Sequence, residues 1–227
     1  MPETLHPGLY FQEIPGNPPI EAVSTSTAAF VGCTIKGPID RAELITNWNQ
    51  FVSTYGSYFA NGYLAYAVRS FFENGGSRCY ISRVVHKNAG VDTSAKSTGS
   101  LISGDSTPGN LVTVNAINDG TWGDNISVVI SDFDYGILTF TLSVKYGTEE
   151  VEKYEDIDLV DIESYINGVS KYITVALLSD NPTVVYLDEQ TVVLSGGADG
   201  LAGLTDSDYI GDAAYSSGLY AFDNVNV

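Results

Sequence analysis

Two histidines, His6 and His86, are the residues whose ordinary pKa lies nearest neutrality. A histidine becomes a general base beside a Ser or Cys nucleophile held at a sharp turn, and no Gly-x-Ser-x-Gly segment is present. Cys33 and Cys79 lie in apolar runs, without a CxxC partner or a neighbouring His, which argues against zinc. They read as two buried thiols in adjacent strands, with a disulfide between them as the alternative. Two glycine-rich stretches, Asn74-Gly75-Gly76-Ser77-Arg78 and Ser195-Gly196-Gly197-Ala198-Asp199-Gly200, have the composition of phosphate loops. The first ends a helix instead of opening one, and neither carries Gly-Lys-Ser/Thr, so both read as turns. Asp206, Asp208 and Asp212, with the pair Asp132 and Asp134, offer oxygen ligands for calcium, yet lack the loop spacing and the bidentate Glu. Helix capping and surface charge explain them better. Glu149, Glu150, Glu152, Glu155, Asp156 and Asp158 read as a solvated acidic run and not as an acid–base pair. No catalytic, cofactor-binding or metal-binding residue is assigned, and the chain is expected not to be an enzyme.

The elements around these residues follow from composition and pattern. Of 227 residues, 44% are hydrophobic and 17% charged, enough for a packed core. Twenty-three Gly and fifteen Tyr against one Met favour strands and turns. Net charge is −18, but residues 1–87 hold six basic and six acidic side chains, so the whole excess falls on residues 88–227. An acidic half repels phosphate backbones, which disfavours nucleic acid as a partner. No apolar run reaches the roughly 18 residues a membrane helix needs, and the first seven residues have neither the basic nor the apolar region of a secretory signal, so synthesis and assembly in a cytoplasm are expected.

Five of the eight prolines fall in residues 1–22, where no helix can propagate; this stretch reads as an extended arm. From Thr27 to Ile35 the chain is almost continuously apolar, as in a strand covered on both faces. Glu43 to Thr46 forms a short strand, and Asn47 caps a helix through Trp48, Phe51 and Val52 that stops near Gly56. Residues 61–74 carry Leu64, Ala67, Val68, Phe71 and Phe72 at helical spacing, followed by the Gly75-Gly76 stop. The apolar strand at residues 78–85 completes a strand–helix–strand unit and predicts a partly parallel sheet. Residues 87–109, rich in Ser, Thr, Gly and Asp, read as a linker or an exposed loop. Beyond it come strands at 111–117 and 126–130 flanking a turn, and alternating Leu138, Phe140, Leu142, Val144 and Tyr146, which predict a half-buried antiparallel strand. Val151 to Tyr154 pairs back across Gly147. A helix at 161–169 buries Ile162, Tyr165, Ile166 and Val169; strands at 172–178, 184–187 and 191–194 and a short helix at 207–215 follow.

Several segments, in order, resemble contractile tail-sheath proteins of phage tails and related injection systems. Pro7-Gly8-Leu9-Tyr10-Phe11-Gln12-Glu13 is similar to that family's "PGVYVEE"-type arm. Ile20-Glu21-Ala22-Val23-Ser24-Thr25-Ser26-Thr27-Ala28-Ala29-Phe30-Val31-Gly32 resembles its "I-x-x-V-x-T-S-x-x-A-F-V-G" opening. Lys36-Gly37-Pro38, the stretch from Tyr63 to Gly76, Arg78-Cys79-Tyr80 through Arg83-Val84, Gly120-Thr121-Trp122-Gly123 with Asn125, Gly196-Gly197 with Asp199-Gly200, and Asp208-Tyr209-Ile210-Gly211 continue the resemblance.

The resemblance implies a mixed α/β (α+β) fold: a partial α/β sheath domain, an inserted β-rich, sandwich-like domain and an extended N-terminal arm. The boundaries it suggests are arm 1–22, first part of the α/β domain 23–87, acidic β-rich domain 88–204, and return to the α/β domain 205–227. Family members continue past the equivalent of Phe222-Asp223 into a region that contacts the inner tube. The sequence ends at Val227, so a fragment is expected, with a shortened relative as the alternative. The resemblance further implies stacked rings of this chain around an inner tube, baseplate or terminator proteins as further partners, and residence in a phage tail or an injection particle. Leu9, Tyr10, Phe11, Gln12, Glu13 and Ile14 are then the arm that reaches a neighbouring copy. The reading from a different class is a β-rich binding module, an adhesin or carbohydrate-binding domain with Tyr and Trp platforms.

Overall fold

The computed structural model describes residues 27–103, 109–134, 136–178, 187–223 and residue 225. The first apolar run forms β1 (Thr27–Gly32), followed by β2 (Ala42–Ile45), α1 (Trp48–Tyr55), α2 (Leu64–Glu73) and β3 (Arg78–Arg83). β3 is the middle strand, parallel to β1 and antiparallel to β2. A parallel pair needs a crossover, and α1 and α2 lie within it. Asn47 caps α1 by accepting from the Gln50 N–H, and the helix ends at Gly56. In α2 the buried residues are Leu64, Ala65 and Val68, while Ala67 is exposed, so the stripe is rotated slightly from the predicted one. These elements bury Ile45, Phe51, Tyr55, Val68, Cys79 and Ile81 together, and the Tyr55 hydroxyl donates to the Ile81 carbonyl.

Both cysteines are free and buried. Cys79 sits opposite Ala28, whereas Cys33 lies just past the Gly32–Arg83 pair at the other end of the ladder. Five residues of strand separate them, roughly 17 Å at about 3.3 Å per residue. A disulfide tolerates no more than about 7 Å between Cα atoms.

Within the expected linker or loop, residues 87–103 carry four short strands. These are β4 (Lys87–Asn88), β5 (Val91–Asp92), β6 (Ser94–Ala95) and β7 (Thr98–Ile102). Two serines of this stretch make specific contacts. The Ser97 hydroxyl, fully buried, donates to Asp124, and the Ser94 hydroxyl donates to Asp119. A Cβ on Gly99 would sit 2.7 Å from the Leu194 and Val192 side chains, so glycine permits that close approach.

The remaining strands are β8 (Asn110–Ala116), β9 (Ile126–Asp134), β10 (Thr139–Tyr146) and β11 (Glu149–Asp158). After them come α3 (Ile162–Ile166), β12 (Ile173–Leu177), β13 (Gln190–Val193) and β14 (Ala198–Asp199). They form two sheets, ordered β11-β10-β9-β13 and β12-β8-β7. Leu101, Val112 and Val114 of one and Val128, Ile130 and Leu142 of the other belong to a single buried cluster. β8 and β9, flanking the expected turn, therefore lie in different sheets. β10 is covered on both faces, with Thr141 and Ser143 buried as well. It is an interior strand, and Ser143 lies between the longer Val129 and Lys153. α3 stops before the predicted end because the Asn167 side chain bonds both the N–H and the carbonyl of Val175, pinning the chain to β12. Tyr165 and Val169 are consequently exposed.

The predicted helix at 207–215 is cut in two. α4 (Asp206–Ile210) ends at Gly211, whose φ of +79 and contact with the Ser217 carbonyl, 2.0 Å from where a Cβ would stand, exclude any side chain. Short 3₁₀ turns follow at Ala213–Tyr215 and Gly218–Phe222, and the second is tied to β3 by the Ser82 hydroxyl donating to the Gly218 carbonyl. The two cores meet where Ile35 packs on the larger cluster and the Lys36 ammonium stands 5.0 Å from the Trp122 ring. No helix among the described residues is long and apolar enough to cross a membrane.

Leu142 is fully buried in the larger cluster. Leu142→Ala is expected to lower the unfolding free energy in urea by about 2–5 kcal/mol. Val193→Ala, at a residue 62% exposed, is expected to change it by less than about 1 kcal/mol.

Candidate assembly surface

The arm residues Leu9, Tyr10, Phe11, Gln12, Glu13 and Ile14, and His6, lie outside the described residues. What such an arm can meet is described. β1 is an edge strand, bonded on one side to β3, and among the described residues nothing pairs with its other side. A groove of about 400 Å³ runs beside it, lined by Phe30, Val31, Cys33, Leu64, Ala67 and Tyr209. β1 and α2 approach closely here: a Cβ on Gly32 would lie 2.8 Å from Leu64 Cδ1. The Tyr209 hydroxyl stands 3.5 Å from Cys33 Sγ. That hydrogen bond, with partial burial, pushes the Tyr209 pKa up to about 12. Burial likewise pushes the Cys79 thiol up to about 12, which keeps it protonated and unreactive. A second apolar feature lies at the start of α2, where Tyr58 and Tyr66 rings are 4.5 Å apart beside Tyr63, which is 88% exposed.

Behind the sheet a polar network joins β3 to α4. The Asp208 carboxylate accepts from the N–H and hydroxyl of Thr205, from the Lys87 N–H, and pairs with His86 Nδ1 at 3.1 Å. Burial alone would raise its pKa, but these bonds outweigh burial and lower it from 3.8 to about 2. The Lys87 ammonium bridges Asp40 at 2.7 Å and Asp92 at 2.5 Å. Burial works against its charge, yet the two carboxylates raise its pKa.

Arg83 has no counterpart among the sequence candidates. Its Nη1 donates to the carbonyls of Gly37 and Asp119, each at 2.9 Å, linking the chain before β2 to the turn after β8. Burial lowers its pKa, and Asp119 and Asp199 oppose that shift. In the sequence it is marked by its position, a cation inside the apolar run from Cys79 to Val85, and by its place in the segment from Arg78 to Val84 that carries the resemblance.

Most other candidates take structural roles. Gly75 follows α2 with a φ of +90. In the Ser195–Gly200 stretch, the Ser195 N–H donates to the Thr98 carbonyl, the Gly197 N–H donates to Asp124, and Asp199 accepts from the N–H and hydroxyl of Thr121; these two donors are engaged within the fold, whereas a phosphate loop holds its donors toward the ligand. Asp212 accepts from the Ala214 N–H and Asp134 from the Gly136 N–H. No group of three His, Cys, Asp or Glu able to hold a metal occurs among the described residues. Within the acidic run, Glu152 anchors the turn after α3 by accepting from the Ser170 hydroxyl and the Lys171 N–H. Trp122, only 3% exposed, is core and offers no platform to a glycan.

The sequence matches no protein-family description and no curated protein. Among solved structures, the fold is similar to that of a sheath tail protein from Listeria innocua, with a TM-score of 0.56 and 17% identity, covering 81% of this chain and 36% of that one. It is similar also to a sheath tail protein from Desulfitobacterium hafniense, with a TM-score of 0.55 and 15% identity, covering 89% of this chain and 41% of that one. The chain thus has a sheath-like mixed α/β fold and spans less than half the length of each of these neighbours.

Asp208 generates a pH prediction. Its pKa is depressed in the fold, so its contribution to stability is complete above 3.8 and is lost as the pH falls toward about 2. Asp208→Asn is expected to cost about 1–3 kcal/mol near neutrality. It should also flatten the fall of the urea midpoint between about pH 4 and about pH 2. An unaltered acid profile in the variant would assign the acid sensitivity elsewhere.

Proposed function

We propose that this chain is a structural subunit of a contractile tail sheath, polymerising as stacked rings around an inner tube and contracting to drive the tube forward. The observation that carries the reading is the likeness to two sheath tail proteins across more than four-fifths of the chain. The unpartnered edge of β1 supports it. In this reading the segment from Leu9 to Ile14 of one copy adds as a strand to a sheet edge of another. Six extended residues reach about 20 Å, matching the length of β1. Each backbone hydrogen bond contributes about 1 kcal/mol net, and burying Leu9, Phe11 and Ile14 about 1.5–3 kcal/mol each. One such link is modest, and the lattice gains strength by repeating it.

The chemistry of contraction then lies in geometry: compact units change their mutual angles while extended arms keep neighbours tethered. Residues 24–86 and 205–227 form the mesh, and the acidic β-rich unit, 88–204, faces outward. The partners are copies of this chain, the inner tube protein, and baseplate or terminator proteins, within a phage tail or an injection particle.

Electron microscopy of the chain expressed with and without residues 1–22 tests the arm: rings or tubes should form with it and be lost on its deletion. Unchanged assembly after deletion would remove its role. Hydrogen exchange on the assembled form should place new protection in the arm and around β1; protection confined to residues 88–204 would contradict the orientation.

A further inference from the structure

In the connection after α1 and the first turn of α2, Tyr58, Phe59, Ala60, Gly62, Tyr63 and Tyr66 line a groove of about 400 Å³. None of them is charged. Tyr63 is 88% exposed and Tyr66 53% exposed. The ring behind them is held in place. Tyr58 lies 4.5 Å from the Tyr66 ring and 5.5 Å from the Trp48 ring, and its hydroxyl accepts from Arg69 Nη1 at 2.6 Å. Three tyrosine rings around one groove, two of them facing water, form an apolar patch that nothing covers among the described residues.

This groove continues the one beside β1, because Gly62 and Tyr63 line both. The join lies past the Gly32 end of β1, where the Cys33 carbonyl is 3.0 Å from the place a Cβ on Gly62 would take. β1 is six residues long, and so is the segment from Leu9 to Ile14 proposed to add to a sheet edge. Running parallel to β1, that segment would bring the residues after Ile14 out at the Gly32 end, over Gly62 and Tyr63. Running antiparallel, it would bring them out beyond Thr27, away from the rings. Those residues are Pro15-Gly16-Asn17-Pro18-Pro19, uncharged and holding three of the chain's eight prolines. Proline rings pack on aromatic faces, and a fixed φ lowers the ordering cost of binding.

We infer that Pro15-Gly16-Asn17-Pro18-Pro19 of a second copy lies on the Tyr58, Tyr63 and Tyr66 rings, and that its arm runs parallel to β1. Resting on the strand addition proposed above, this contact gives it a direction and an anchor. The anchor supplies what a strand alone lacks. Backbone pairing along a neutral edge tolerates a slip of two residues, which leaves the same faces inward. Prolines seated against fixed rings allow one register.

The test uses the full chain with photoreactive benzoylphenylalanine in place of Ala29, exposed on β1, or of Tyr63. Copies labelled with ¹⁴N and ¹⁵N are mixed before assembly, so that each cross-linked peptide pair reports whether it joins two copies. Position 29 is expected to link to residues 9–14 and position 63 to residues 15–19, both between copies. If position 29 links as expected but position 63 reaches Pro7-Gly8, or no part of residues 15–19, the inference is overturned and strand addition stands. A link from position 63 to residues 15–19 formed only within one copy overturns the second-copy assignment. Failure of both probes to join copies overturns strand addition and this contact together. Separately, Pro18→Ala combined with Pro19→Ala is expected to raise the concentration needed for assembly severalfold, as is Tyr66→Ala. Unchanged assembly of the proline variant also overturns the inference. That variant alters no described residue, so a damaged groove cannot account for a loss of assembly.

Discussion

One buried nitrogen ties the two cores together. Arg83 Nη1 donates to Gly37, in the chain leading to β2, and to Asp119, in the turn after β8. The first carbonyl belongs to the segment around the three-stranded sheet and the second to the segment between the two larger sheets. Two carbonyls that share one buried charge-assisted donor cannot move apart without stranding a cation in a region closed to water. The nearby contacts depend on that fixed separation: Ile35 against the larger cluster, the Lys36 ammonium over Trp122, and the Gly120 backbone close to the Ile35 carbonyl. Local burial is thereby turned into long-range geometry.

Away from this joint, rigidity and adhesion are divided between different residues. The interior strands β3 and β10 are saturated with hydrogen bonds and buried along most of their length. β1 presents a row of backbone donors and acceptors beside an apolar groove. A sheet that is complete on one side and open on the other is stable as a unit and still able to extend. The proposed lattice role calls for that combination.

The parts of this arrangement legible in the sequence were those in which side-chain pattern and burial agree. α1 followed from Asn47 and its apolar spacing, and the parallel β1–β3 pair followed from two continuous apolar runs separated by helical spacing. Pattern failed where residues owe their position to one partner far away in the chain. Ser94 and Ser97 look like linker residues until Asp119 and Asp124 are brought beside them. Asn167 looks like ordinary helix until Val175 takes its side chain. Arg83, the residue with the most consequence, gave no periodic signal at all, since its two carbonyl partners carry no side-chain identity. The acidic residues were half legible: Asp208 and Asp212 do cap helical turns, but the pairing of Asp208 with His86 across 122 positions was not readable from spacing.

The longest open strand, β11, carries Glu149, Glu150, Glu152, Glu155, Asp156 and Asp158 within ten residues. Laid edge to edge, two copies of it would bring like charges within about 5 Å of one another. β1, by contrast, has no ionisable side chain along its length. Repulsion between the acidic strands opposes edge-to-edge pairing at that border, the more so at low salt, whereas the neutral border of β1 carries no such penalty.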